Sequence, residues 1–446
     1  MQYFIKSVFL FFAVFVLLPN LFAASEFNQP YADFPIYETF LKNGLRVIVY
    51  VDNTTPTVST QLWFNVGAVY DPPTKSGLSH FLEHMDCTKN YKPREISAAI
   101  DALGGIDNAF TSYLYVCYWV DLSRDYYETA LKFGAERMAN LDISQSKFES
   151  ERMVVMEERR LGENRPYSIL WEQFDLLAYK FHPYRNPVIG WMEDIEQIRL
   201  NDMIQHYKTY YQPANAVCVI AGDVELNDVY HKVNKYFGKI KSKPVTHPVF
   251  FEPSQQGEQR KTIFRPISNP AIMIGHQTCD VTSPDYYPLE VLEALLSAGK
   301  NSRLYKKIVD EKQYALRVSA WNSLERDAGL FNFFAIPLRV NLVDSVEKLV
   351  YEELAKLGST GRDSITDQEM ERVKNNVIAD EIYAQDRARG MGMRIGRQLI
   401  ATGNLADMIE YPERINGVTK DDVRRVIDKY FVDKTKTIVV LLPEEN

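Results

Sequence analysis

The sequence of 446 residues has little cysteine and little histidine, four and seven residues respectively. Cys87, Cys117, Cys218 and Cys279 form no C-x-x-C pair, which excludes a redox motif, a thiolate-rich zinc site and a disulfide framework as the source of stability. A pairing of Cys87 with Cys117 is left open. No basic run stands out and the formal net charge is -8, so neutralisation of a nucleic-acid backbone is not expected. Beyond residue 24 no apolar run approaches the roughly 20 residues of a spanning helix, so no stable membrane span is expected in the mature chain.

What is present is an ordinary globular composition, 46% hydrophobic and 25% charged, in a chain long enough for two or three domains. The start carries Lys6, an apolar run from Val8 to Leu18, then Ala23 and Ala24. This pattern predicts a secretory signal peptide over 1–24 and export across the inner membrane, most simply to a periplasm. A retained anchor is the alternative, and the run is short for it.

Residues 37–41 and 45–51 alternate around Lys42-Asn-Gly44, a hairpin pattern, and 57–66 is a further strand. Helical periods follow over about 76–86 and 93–103, a strand over Ala109 to Leu122, and helices over 125–140 and about 146–162. Regular patterning stops between 241 and 258, where proline, glycine and polar residues predict a linker. The expected domains are 25–240 and 259–446. They look related, because Leu200 to Tyr211 and Thr419 to Phe431 are both helical runs with an acidic start and paired aromatics, each followed by an apolar strand. The expected fold class is α+β, two similar domains that each pack helices on a mainly antiparallel sheet.

The chemistry centres on His80-Phe-Leu-Glu83-His84. On a helix His80 and His84 are one turn apart and can share one ion, and Glu83 lies beside them, able to take a proton from water. This is H-x-x-E-H, the inverse of H-E-x-x-H. A catalytic zinc uses three protein ligands, so a third must come from elsewhere. Glu151 and Glu158 lie two turns apart on one face of the next long helix, with Glu157 turned away, and spacing alone does not choose between them.

Several stretches together resemble the pitrilysin/insulinase family of inverted-motif zinc peptidases, in its short bacterial form and in the mitochondrial processing peptidase. They are Tyr70-Asp-Pro-Pro-x-Lys-Ser-Gly-Leu-Ser-His80-Phe-Leu-Glu-His-Met85, Gly104-Gly-Ile-Asp-Asn108-Ala-Phe-Thr-Ser112, Glu151-Arg-x-Val-Val-x-Glu-Glu158 and His182-Pro-Tyr-Arg-Asn-Pro-Val-Ile-Gly190. The resemblance spans nearly the whole mature chain. It implies a zinc endopeptidase acting on peptides or unfolded polypeptides, with Zn2+ on His80, His84 and Glu158 and with Glu83 as the base. Glu151 matches a supporting glutamate of the catalytic apparatus. Asn108 and Ala109 match edge-strand residues that hold the substrate backbone, a role suited to unpaired strand groups.

Two departures stand out. Asp86-Cys87-Thr-Lys-Asn90 replaces the apolar and glycine residues usual after the motif. More consequentially, self-sufficient members carry an Arg and a Tyr seven positions apart in the second half, which steady the substrate carbonyl. Val309 and Leu316 occupy those positions here, and Tyr314 is out of register. Each lost donor removes an effect of roughly 3 kcal/mol on the transition state. The expectation is therefore a zinc-bearing subunit working with a homologous second chain that supplies Arg and Tyr. The rival reading is a non-catalytic peptide-binding or assembly subunit of the same fold.

Overall fold

The computed structural model describes residues 27–28, 31, 34–85, 88–91, 93–327, 329–383 and 387–444. The signal peptide expected over 1–24 lies outside the described residues, as do Asp86 and Cys87.

Two sheets of like topology make the framework. The first contains β1 (Ile36–Phe40), β2 (Arg46–Val51), β3 (Thr57–Phe64), β4 (Ile106–Thr111), β5 (Val116–Ser123) and β6 (Ala216–Gly222), in the order β1-β2-β6-β3-β5-β4. The second contains β7 (Gln259–Arg265), β8 (Ala271–Gln277), β9 (Ala315–Asn322), β10 (Leu330–Pro337) and β11 (Lys436–Pro443), ordered β7-β11-β8-β10-β9. In each, one pair is parallel (β2 with β6, β7 with β11) and every other pairing is antiparallel. β2 to β6 and β7 to β11 follow the same strand path, with β1 added at one edge of the first sheet; this is the duplication expected from the sequence, and the α+β class follows from it. Residues 241–258 join the halves without regular structure.

The stretch expected as one strand over Ala109 to Leu122 is a hairpin instead. β4 and β5 fold back around Ser112–Tyr115, where Ser112 N–H donates to the Tyr115 carbonyl at 2.8 Å. No glycine or proline interrupts Ser-Tyr-Leu-Tyr, so apolar alternation runs through the turn unmarked. The expected 76–86 helix begins two residues later, at Leu78, because Gly77 has φ +87°, outside the helical region.

The halves exchange helices. Ser168–Ala178, from the first half, lies on β8 and β11 of the second sheet, and Ala388–Thr402, from the second half, lies on β3 and β6 of the first. A glycine permits each approach. A Cβ on Gly396 would sit 2.1 Å from the Trp63 ring, and one on Gly275 would sit 2.3 Å from Phe174. One hydrophobic core accordingly contains Trp63 and Leu62 together with Met391, Ile395 and Leu399, and also Phe174 with Met273 and Phe334. Chain halves and packing units are not the same thing in this molecule.

Candidate functional site

The motif sits on the short helix Leu78–His84, which packs against the long helix Gln145–Glu163. Phe81 stacks on Phe148 with ring centroids 5.0 Å apart, and Arg152 covers Phe148 at 4.7 Å. Arg152 also donates to the carbonyls of Ile195, Glu196 and Ile198 at 2.6–2.8 Å, which fixes the rotation of the long helix. With the Phe81–Phe148 contact facing inward, the glutamates of the long helix come up beside the histidines.

Glu158 Oε2 lies 3.3 Å from His84 Nε2 and 3.8 Å from His80 Nε2. One ligand atom from each of the three residues falls within 4.8 Å of the others, and among the described residues this is the one such His/Cys/Asp/Glu group of three or more. Four-coordinate zinc with bonds near 2.0–2.2 Å separates its ligands by about 3.4 Å, a spacing that Glu158 and His84 already have at 3.3 Å, while the wider separations, up to 4.8 Å, have to draw in around an ion. Burial, and then the neighbouring His84, hold the His80 pKa down to about 3. Its imidazole is therefore neutral at physiological pH, the form that binds metal. The donor set of two imidazoles and one carboxylate fits zinc and leaves a fourth position for solvent.

Glu151 is placed on the other nitrogen of His84, with Oε2 3.9 Å from Nδ1, and is tied to Lys147 at 2.7 Å. Glu157, 61% exposed, pairs with Arg160 instead, as its helical angle predicts. Glu83 receives a hydrogen bond from Thr111 Oγ1 at 2.5 Å, which joins the motif helix to the end of β4. Glu83 and His84 open on a cavity of about 250 Å³, which Asn108, Ala109, Tyr118, Trp119 and Arg137 also line. β4 is the edge of its sheet. Asn108 Oδ1 accepts the Ala109 N–H at 2.8 Å, so a peptide pairing at this edge has to displace that side chain.

In the second half, Val309 is half-buried and Leu316 is 58% exposed at the start of β9. Tyr314 packs on the second core. Sequence reasoning missed Thr111, Asp71 and His206. Thr111 lies in the Gly104–Ser112 run, on the strand already marked for substrate contact. Asp71 and His206 carried no spacing signal, because the groups they meet are remote in sequence or lie across a loop.

The chain matches Insulinase (Peptidase family M16) over residues 46–191 and Peptidase M16 inactive domain over residues 197–377. It is 31% identical over 437 residues to "Zinc protease PqqE" of Helicobacter pylori, covering 96% of this chain and 97% of that one. It is 25% identical to a probable mitochondrial-processing peptidase subunit beta of Arabidopsis thaliana, covering 92% of this chain and 78% of the relative. The crystal structure of a protease from Helicobacter pylori superposes with a TM-score of 0.87 at 30% identity, over 92% of this chain and all of that one. With its two like sheets and the His80, His84 and Glu158 cluster, the chain belongs to the pitrilysin/insulinase family of zinc peptidases, peptidase family M16.

Proposed function

We propose that the protein is an exported zinc endopeptidase that cleaves extended or unfolded polypeptides, and that it is the zinc-bearing subunit of a two-chain enzyme. The observation that carries the reading is the convergence of His80, His84 and Glu158 beside Glu83, at the mouth of a cavity bordered by a free sheet edge. His80, His84 and Glu158 would hold the zinc, which would supply Lewis acidity towards a water and the scissile carbonyl. Glu83 accepts the proton of that water and returns it to the leaving amine, while Thr111 holds the carboxylate in place. Asn108 and Ala109 bind the substrate main chain as an added strand, and Glu151 steadies His84.

The two-chain reading is supported by Val309 and Leu316, whose side chains carry no donor for an oxyanion, and by the likeness to a processing-peptidase beta subunit. Export is supported by the character of residues 1–24, and no described helix is long and apolar enough to cross a membrane. The test is metal content and hydrolysis of an unfolded polypeptide by the parental chain and by Glu83→Gln, each with and without a homologous chain that carries the Arg/Tyr pair. Expected are one zinc per chain in both proteins, strong cleavage by the parental pair, weak cleavage by the parental chain alone, and a loss of 10²–10⁴-fold for Glu83→Gln. Full activity of the isolated chain overturns the two-chain reading, and parental rates for Glu83→Gln overturn the assigned base.

A further inference from the structure

The helix that carries His80, Glu83 and His84 is only seven residues long. So short a helix has little intrinsic stability, and its first N–H groups need acceptors from outside. Gly77, at its N-cap, has no side chain to supply one. Asp71 supplies both. Its Oδ2 accepts the Gly77 N–H at 2.8 Å, and its Oδ1 accepts the Ser79 N–H at 2.9 Å and the Ser79 hydroxyl at 2.6 Å. With that hydroxyl proton directed to Asp71, the Ser79 oxygen is left to accept from His206 Nε2–H, 3.0 Å away. Asp71 and His206 have side chains only 2% exposed, so water does not compete for these bonds.

The anchor is itself fixed. Asp71 N–H donates to the Ala68 carbonyl at 3.2 Å. The preceding Tyr70 packs on Tyr210 and on His247 of the linker, with centroids 5.9 and 4.6 Å away. The Tyr70 hydroxyl accepts from Arg326 of the second half at 2.8 Å. On the other side of the helix start, Ser76 gives its N–H and hydroxyl to Asp194 at 3.1 and 2.6 Å.

We infer that Asp71, acting through Ser79 and His206, is a positioning residue that sets the rotation of the motif helix and so the aim of His80 and His84 at a shared metal. Ser79 is directly followed by His80. A rotation of the helix by about 10° about its axis moves an imidazole nitrogen by about 1 Å, and metal ligands tolerate about 0.2 Å. Asp71 is buried and lines neither the metal cluster nor the cavity beside Glu83; it acts by holding the two rings where Glu158 meets them.

The inference rests on zinc binding by this chain, so its test reads zinc affinity and geometry instead of catalysis. Metal-free full-length chain is titrated with zinc against a competing chelator at 25 °C, and the visible absorption of the cobalt-substituted chain is recorded. Asp71→Asn places an amide donor against the N–H of Gly77 or Ser79. It is expected to weaken zinc affinity at least tenfold and to alter the cobalt bands. Ser79→Ala removes only the hydroxyl, in a residue that suits a helix, and is expected to weaken affinity about threefold. If Asp71→Asn does not fold, Ser79→Ala decides. Zinc affinity within 1.5-fold of parental for Ser79→Ala, or affinity and cobalt spectrum unchanged in folded Asp71→Asn, assigns Asp71 a merely structural role and overturns the inference. Failure of the parental chain itself to bind zinc overturns the metal reading, and this inference with it.

Discussion

The contact between Gly396 and Trp63 ties the second half of the chain to the first sheet, and it gives a substitution whose sign is set by geometry. Gly396 lies within the helix Ala388–Thr402, where exchange to alanine would ordinarily stabilise by about 1 kcal/mol. At this position the new methyl group would lie 2.1, 2.4 and 2.5 Å from Cε2, Nε1 and Cζ2 of Trp63. Carbon contacts relax near 3.5–4.0 Å, so ring or helix must move by about 1.5 Å. The ring has no room to yield. It is fully buried, its Nε1 donates to Gln61 Oε1 at 3.1 Å, and Phe110 and Tyr115 pack against it at 5.9 and 5.0 Å. Overpacking costs about 1–3 kcal/mol and loss of the hydrogen bond about 1 kcal/mol. After the gain in helix propensity, Gly396→Ala should destabilise by about 1–3 kcal/mol. Gly162→Ala is the matched control, because it too is helical but its Cβ meets nothing within 4 Å. It should be neutral to stabilising by up to about 1 kcal/mol. Urea unfolding followed by tryptophan fluorescence and circular dichroism measures both. A midpoint for Gly396→Ala equal to or above parental would refute the account of the helix exchange.

Two further outcomes are expected. Burial raises the pKa of Asp285, but hydrogen bonds from Lys429, Tyr430 and Arg425 outweigh it and hold the group at about 2. A depressed carboxylate stabilises the fold above its unfolded pKa near 3.9, and that contribution is lost as pH falls through about 2. Asp285→Asn should therefore lower stability at pH 7 by at most about 2.6 kcal/mol, less for screening at the half-exposed Arg425 and Lys429. The gap from parental should narrow between pH 4 and 2 in denaturant titrations, and a gap independent of pH would contradict the assignment. Thr111→Val, which keeps shape but removes the donor to Glu83, should lower kcat of the two-chain enzyme about tenfold with KM unchanged, since the bond orients the base without touching substrate. An unchanged kcat would remove Thr111 from the site.

Much of this was legible in the chain. The β1–β2 hairpin and the duplicated helix-strand unit announced themselves through periodicity and turn residues, because those signals are local. The hairpin at Ser112–Tyr115 did not, since no breaker residue marks the turn. The helix exchange was hidden for a different reason. Gly392 and Gly396 look like weak points of a helix until Gln61 and Trp63, more than 300 positions earlier, are seen to fill the space they leave. At the site, His80, Glu83 and His84 declared themselves by spacing, whereas Glu158 and Glu151 were equivalent by helix geometry and only the resemblance separated them. The structure distinguishes the pair: Glu158 meets both Nε2 atoms and Glu151 meets the far side of His84. Asp71 and His206 were silent because fixing a helix end requires proximity in space and imposes no pattern in sequence.

Crystals grown with zinc, measured on both sides of the zinc absorption edge, test the central claim most directly. The account predicts one strong anomalous peak per chain within about 2.0–2.2 Å of His80 Nε2, His84 Nε2 and Glu158 Oε2. A peak held by other residues, or none between these three, would contradict it.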